Sequence, residues 1–521
     1  MKKESILSHI SLLVIVLSFV SFNQRVKGEE ISNSVSKLDV LVENNLKKNH
    51  VSASDVSTDN VFIRRLSLDI TGIQPTADEA RKFIEKNNPD KRIKLIDSLL
   101  HSDGFVDYQV LKWGDLLRCK SEFQSNLWPN AVQAYARWMK ESIRNNIPYD
   151  QFARELLISS GSNFRSPTVN FYRAFQEKNP KNIAESFALI FLGMRPTTKF
   201  EKDKTPGDLS PFFSQVKYKK SDEWKEEFVY FEKDIAPKTN EVTMPGGDKI
   251  TLQNKTDLRI PLVDWLTNKQ NPYFARVMVN RIWFWLMRRG IVNEPDDFKD
   301  LNPPSNPELL SFLENEFKEH NYDVNYIFRL ILNSKTYQRS FITNGTNHSD
   351  EALFSHYLIH RLTAEQLIDA ICDITGMPEI YSSRVPEPFT FLPKDTRAVQ
   401  LEDGTISSPV LEMFGRPSRD ISYESDRNCN LTMKQVLFLL NSTQVTDKIN
   451  KSRKLKQLTD KFESKDKLFD EIYLLVLSRF PTKAESSTLT AYFSDNKNDN
   501  FQETSDLVWV LINTKEFLFN H

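Results

Sequence analysis

Glycine is scarce, at 14 of 521 residues, well under the usual ~7%. That shortage disfavours Gly-rich phosphate loops and turn-dense all-β folds, and it fits a helical protein. Cysteine is scarcer still: Cys119, Cys372 and Cys429 are the only three. None forms a Cys-x-x-Cys pair, so zinc-ribbon, thioredoxin-like and haem-attachment arrangements lack their ligands. Three thiols allow at most one internal disulfide, and the spacing does not say whether one forms. Neither sign of charge is in excess, since 69 Lys and Arg meet 70 Asp and Glu. A generic polyanion binder needs clustered positive charge, so no nucleic-acid partner is expected. Long apolar runs are missing after the first thirty residues. No nucleophile elbow, phosphate-binding loop or dinucleotide fingerprint occurs.

What is present is core material: 39% apolar residues and 11% aromatics, with 36 Phe and 8 Trp. At roughly 100–200 residues per domain, two to four domains are expected. The chain opens with charged residues and the apolar run Ile10–Phe22, then Val26, Gly28 and the acidic pair Glu29-Glu30. That layout predicts a signal peptide over 1–28, because the run falls short of the roughly 20 residues that span a bilayer. The expected product is exported, periplasmic or extracellular, with no membrane span after cleavage and no cofactor.

The fold class expected is mainly α, with two helical domains, 30–200 and 261–521, joined by a linker over 201–260 with a small β hairpin. In the first domain, Thr76 and Glu79 make a capping box. Amphipathic stretches follow at Lys91–Leu100, Val106–Cys119 and Ala131–Asn145, then a helix opening at Pro148. The linker carries the β-prone runs Glu227–Phe231 and Lys249–Leu252 around Pro245-Gly-Gly-Asp248. The second domain has an aromatic helix at Arg276–Arg289 and a capped helix from Asn306. Another helix is capped by Thr363 and ends at Gly376. Residues 377–430 are Pro-rich and read as irregular. Pro481-Thr-Lys-Ala-Glu485 forms a further capping box.

Chemistry is less legible. His356 and His360 stand four apart and would share a helix face, a weak metal site at best without a third ligand. Asp69, Glu365, Asp369 and Asp426 are the candidate acids of a hydrolase, which needs two carboxylates across one cleft. Arg64, Arg65, Arg281, Arg361, Arg416 and Arg419 lie near apolar residues or carboxylates, and Trp283 shares a helix with Arg281. Such arginines either pin helices through internal ion pairs or clamp an anionic ligand, since the guanidinium fork matches carboxylate and sulfate.

Several strings, in sequence order, resemble a pair of domains of unknown function first named from planctomycete cytochrome proteins. They are a PSCyt-type domain followed by a PSD-type domain. For the first the strings are FIRRLSLDITGIQPTADEARKF, PYDQFARELL, GSNFRSPTVNFYRA and AESFALIFLGMR. For the second they include NPYFARVMVNRIW, GIVNEPDDF, LILNSKTYQRS, RLTAEQLIDAICDITG and FGRPSRD. The resemblance spans roughly residues 60–515 and implies an exported, mostly helical protein. Its relatives often accompany sulfatase-like proteins and polysaccharide-degradation genes. Many of them carry Cys-x-x-Cys-His after the Phe-Leu-Gly string, which looks like a c-type haem attachment. Here that string continues Phe191-Leu-Gly-Met-Arg-Pro-Thr-Thr-Lys-Phe, without Cys or His. Many also carry a cysteine pair after Phe-Gly-Arg-Pro, where this chain has Cys429 alone. This is a variant without the haem motif, and haem chemistry is not carried over.

Two functions follow as expectations. The first is a haem-free accessory protein binding a partner, such as a sulfatase-like protein, or an acidic or sulfated polysaccharide. The alternative is a hydrolase of sulfated or uronic-acid polysaccharide, with the carboxylates above as acids and the arginines as anion clamps. Whether catalysis occurs is left open between them.

Overall fold

The computed structural model describes residues 31–121, 127–195, 208–237, 239–385, 388–390, 392–494 and 500–521. The expected signal peptide over 1–28 lies outside them. The fold is mainly α, with small sheets of two or three strands. No helix among the described residues is long and apolar enough to cross a membrane.

Capping chemistry sets many helix ends where the sequence puts them. Thr76 and Glu79 form a reciprocal capping box at Ala77–Glu85, and Thr363 and Gln366 do the same for Ala364–Thr375. That helix stops at Gly376, whose φ of 68° is the left-handed stop that glycine adopts without a Cβ penalty. Thr482 and Glu485 exchange bonds of 2.7 and 3.3 Å at the start of Lys483–Ser494. The aromatic helix runs Phe274–Met287 and is buried almost all round, as an apolar pattern without a polar stripe requires.

The β-prone runs of 201–260 find different partners. Glu227–Phe231 pairs antiparallel with Val216–Lys220 and also with Gly161–Ser162. Lys249–Thr251 pairs with Glu241–Thr243 across the Pro245–Asp248 turn. The segment therefore holds two hairpins. The first takes an edge strand from the N-terminal part, which sequence spacing alone could not reveal.

Buried apolar side chains gather in two large cores and one small cluster. The first core runs from Leu38 to Tyr357, and so takes in the helices on both sides of 201–260. The second runs from Leu362 to Leu518, and adds Leu68, Ala77 and Ala80. Tyr108, Leu111 and Val399 form the small cluster. The helix Asp59–Thr71 lies between the large cores, giving Phe62, Leu66 and Ile70 to one and Leu68 to the other. Its charged residues Arg64, Arg65 and Asp69 are thereby shut in with no access to water, and each must find partners inside the protein.

Candidate functional site

Those partners decide what the sequence-flagged residues do. Arg64 donates to the carbonyls of Val476 and Phe517 and to Gln74. Arg65 donates to the carbonyls of Tyr337, Arg339 and His521, and lies 3.8 Å over the Tyr357 ring. Arg361 spends its fork on the carbonyls of Leu362, Phe414, Asn428 and Cys429. Arg281 reaches the Ile190 carbonyl and Glu424. Arg416 donates to the Ile406 and Asp403 carbonyls and stands 3.7 Å from Glu365. Trp283 packs edge-on against Phe354 in the first core. These five arginines hold segments of backbone together, and Trp283 fills the core.

The acids are similarly engaged. Asp69 accepts from the Tyr337 and Tyr357 hydroxyls at 3.0 and 2.9 Å, from Asn520 at 3.0 Å and from Arg288 at 3.2 Å. Burial still raises its pKa above the ordinary carboxylate value, against the pull of Arg288. Asp369 accepts the backbone N–H groups of Ala398 and Val399, and burial pushes its carboxyl up to about 7. Glu365 is the opposite case. Burial acts to raise its pKa, but Arg427 and Arg416 outweigh it and hold the carboxylate low. Asp426 is half-buried and accepts from the Ser418 N–H and hydroxyl. His356 touches the Ser355 hydroxyl, and His360 begins a two-residue strand with its Nδ1 on the Leu358 carbonyl. The two histidines therefore share no helix. Among the described residues no group of three His, Cys, Asp or Glu side chains is placed to hold a metal.

Asp69, Glu365, Asp369 and Asp426 are held by separate sets of partners among the described residues. A partly open cavity of about 360 Å³ lies elsewhere, and of the flagged residues Arg419 alone lines it. One wall comes from Phe175, Glu177 and Glu185, on and before the helix Pro180–Leu192. Arg118, Asp420 and Tyr423 also line the cavity. Arg118 follows the helix Asp103–Leu116, with φ at 55°, and Arg419 has φ at 59°. Left-handed backbone in a residue with a Cβ costs about 1 kcal/mol or more, and such strain collects at functional sites.

The charges around the cavity are unequally satisfied. Arg419 bonds Asp115 at 2.8 Å and the carbonyls of Cys119, Glu402 and Leu111. Asp420 is paired with Lys120 at 2.8 Å. Glu177 accepts from Asn179, and Glu185 has Lys181 at 3.8 Å. Arg118 donates through Nε to the Ser422 hydroxyl and lies 4.8 Å over the Phe175 ring. Its two terminal nitrogens make no hydrogen bond among the described residues. Burial lowers its pKa from the ordinary arginine value, and Tyr423 and Asp420 pull the other way. Arg195 lies 5.2 Å from the Tyr423 ring and is fastened to Asp296 at 2.6 Å. Nothing in the sequence singled out Arg118. The one available sign was a basic residue at the end of the stretch Val106–Cys119, which is also an ordinary helix-end pattern.

A mainly α body with arginine-pinned interior charges and one mixed-charge cavity defines the class. Residues 37–197 match PSCyt2, described as a protein of unknown function (DUF1549), and residues 258–493 match PSD1, likewise of unknown function (DUF1553). The chain belongs to the proteins that carry this pair of domains in that order. No curated protein and no solved structure matches it. The cytochrome association in the first domain's name does not fit the residues present. Two thioether bonds need two neighbouring thiols, and the three cysteines are free and unpaired, with Cys119 buried.

Proposed function

We propose that this is an exported, haem-free accessory protein that binds a polar ligand through a single acidic group, a uronic-acid residue of a glycan. The observation that carries the reading is Arg118. It is the guanidinium of the cavity with unspent terminal nitrogens, set beside the partly exposed Tyr423 ring, which suits the apolar face of a sugar. The rest of the lining limits the ligand. Three carboxylates and Arg419 surround Arg118, so one negative group is attracted and a densely sulfated chain is repelled.

Binding is favoured over hydrolysis by where the unusual acids sit. A glycosidase acid needs a raised pKa and contact with the glycosidic oxygen. The carboxyls raised by burial, Asp69, Asp369, Glu424, Asp426 and Asp470, do not line the cavity. Calorimetric titration of the full chain with a galacturonic-acid trisaccharide tests the reading. Binding is expected, with Arg118→Ala weakening it at least about tenfold, the size of one charge-assisted contact. Arg118→Lys should recover part of that loss. Equal affinity in both variants, or release of new reducing ends during titration, would count against a binding role.

A further inference from the structure

The hairpin Val216–Lys220 and Glu227–Phe231 carries at its tip an aromatic cluster outside every apolar core. Trp224 meets Trp128 at 4.8 Å and Phe389 at 5.1 Å between ring centroids, and Trp128 meets Phe389 at 5.3 Å. The three rings come from chain segments about a hundred residues or more apart, yet Trp224 is 59% and Phe389 40% exposed. Lys225 holds its ammonium 4.9 Å over Trp128 and 5.7 Å over Trp224. Below the tip, Phe228 and Tyr230 are exposed on one face of the strand, 38% and 41%. Residues paired across an antiparallel ladder share a face. Lys219 pairs with Phe228 and Lys217 with Tyr230, so lysines stand beside both rings.

We infer that this ring-and-lysine surface is a second binding site, which takes the chain of an acidic polysaccharide. Exposed ring faces present the negative quadrupole, which attracts the polarised C–H bonds on a pyranose face. The lysines supply the partner for a carboxylate on alternate sides of the sugar. The hairpin's own carboxylates compete little, because Glu226 accepts from the Ser162 and Ser221 hydroxyls and Glu227 is held by Arg173 and Lys178. Asp222 and Glu223 are exposed in the turn, so the surface is only modestly basic. That balance suits one charge per sugar better than the closely spaced phosphates of nucleic acid, which demand clustered cations. Arg173 and Lys178 bracket the cavity-lining residues 174–177, so the strand is tied directly to the cavity wall.

The site does not depend on Arg118, and native gels cast with polygalacturonate separate the two. The full chain should be retarded, and Trp224→Ala should weaken retention roughly two- to tenfold while trisaccharide binding in solution and thermal unfolding stay unchanged. Trp224→Tyr should retain most of the effect, and Lys225→Met should weaken it. Arg118→Ala should leave the Trp224-dependent part of gel retention in place, so failure of the cavity reading would appear separately. Retention equal in wild type and Trp224→Ala, no retention at all, or binding to single-stranded DNA or anionic phospholipid vesicles in place of polygalacturonate would overturn the inference.

Discussion

Lys112 is a residue whose environment departs far from its chemistry. It sits in the apolar run Val110-Leu-Lys-Trp113 and is buried, with its Nζ lacking any hydrogen-bond partner. The Tyr108 and Trp285 rings, 4.4 and 5.0 Å from the ammonium, give partial compensation. Burial, then Arg288, brings its pKa down from 10.5 to about 7. Between those values the unfolded chain binds more protons than the folded one, so this residue makes stability rise with pH. Lys112→Met keeps the aliphatic stem and removes the charge. It should stabilise the protein by about 1–3 kcal/mol at pH 7 and flatten the rise toward pH 10 in urea-unfolding series. A less stable variant would mean that the ammonium has a role the geometry does not give it. The lysine was visible in the sequence as a charge on an apolar face. The arginines were visible too, but their partners were not. Arg64 meets carbonyls more than four hundred residues away, and no local pattern encodes that. Asp69 and Glu365 looked alike in sequence, and only the neighbouring cations separate a raised from a lowered pKa.

Among elements, helix ends were the most legible part of the fold, because a capping box is read from four consecutive residues. The contacts between helices were not. Arg427 joins two helices that are far apart in sequence, bonding Asp115 on Asp103–Leu116 at 2.7 Å and Glu365 on Ala364–Thr375 at 2.5 Å. Both carboxylates were on the page as letters, but Arg427 lay in a Pro-rich stretch that reads as irregular. Arg427→Met should cost about 3–5 kcal/mol, since it strands a buried carboxylate. The pH dependence should also change sign. In the native protein Glu365 is held below its ordinary 4.5, so its contribution is present above that pH and fades as acid titrates it. In the variant burial dominates, the carboxyl moves above 4.5, and stability falls as pH rises through the shifted value. Unfolding curves at pH 4, 5.5 and 7 would reveal the inversion, and parallel curves for the two proteins would refute the assignment. By contrast, Thr363→Ala should cost only about 1 kcal/mol, the usual worth of an N-cap, read from the shift in urea midpoint.

At the scale of the molecule, the helix Asp59–Thr71 ties the beginning of the described chain to its end. Phe517 gives its carbonyl to Arg64, His521 its carbonyl to Arg65, and Asn520 its amide to Asp69. The strand Phe519–Asn520 also pairs with His360–Arg361. These contacts satisfy charges that neither large core could bury alone. Family matches over 37–197 and 258–493 divide the chain by sequence, but the first core draws on both. Physical coupling of this kind predicts one cooperative unfolding transition for the full chain, with tryptophan fluorescence and far-ultraviolet circular dichroism changing together. Deleting residues 515–521 should remove partners from three buried charged groups at once and cost more than about 3 kcal/mol. The fragment 261–521 expressed alone should lack a sharp transition, because Leu68, Ala77 and Ala80 leave its core and the carbonyls of Val476 and Phe517 lose Arg64. Two separable transitions in the full chain, or a fragment that melts as sharply as the whole, would show instead that the ion pairs across the boundary ride on two independently stable bodies.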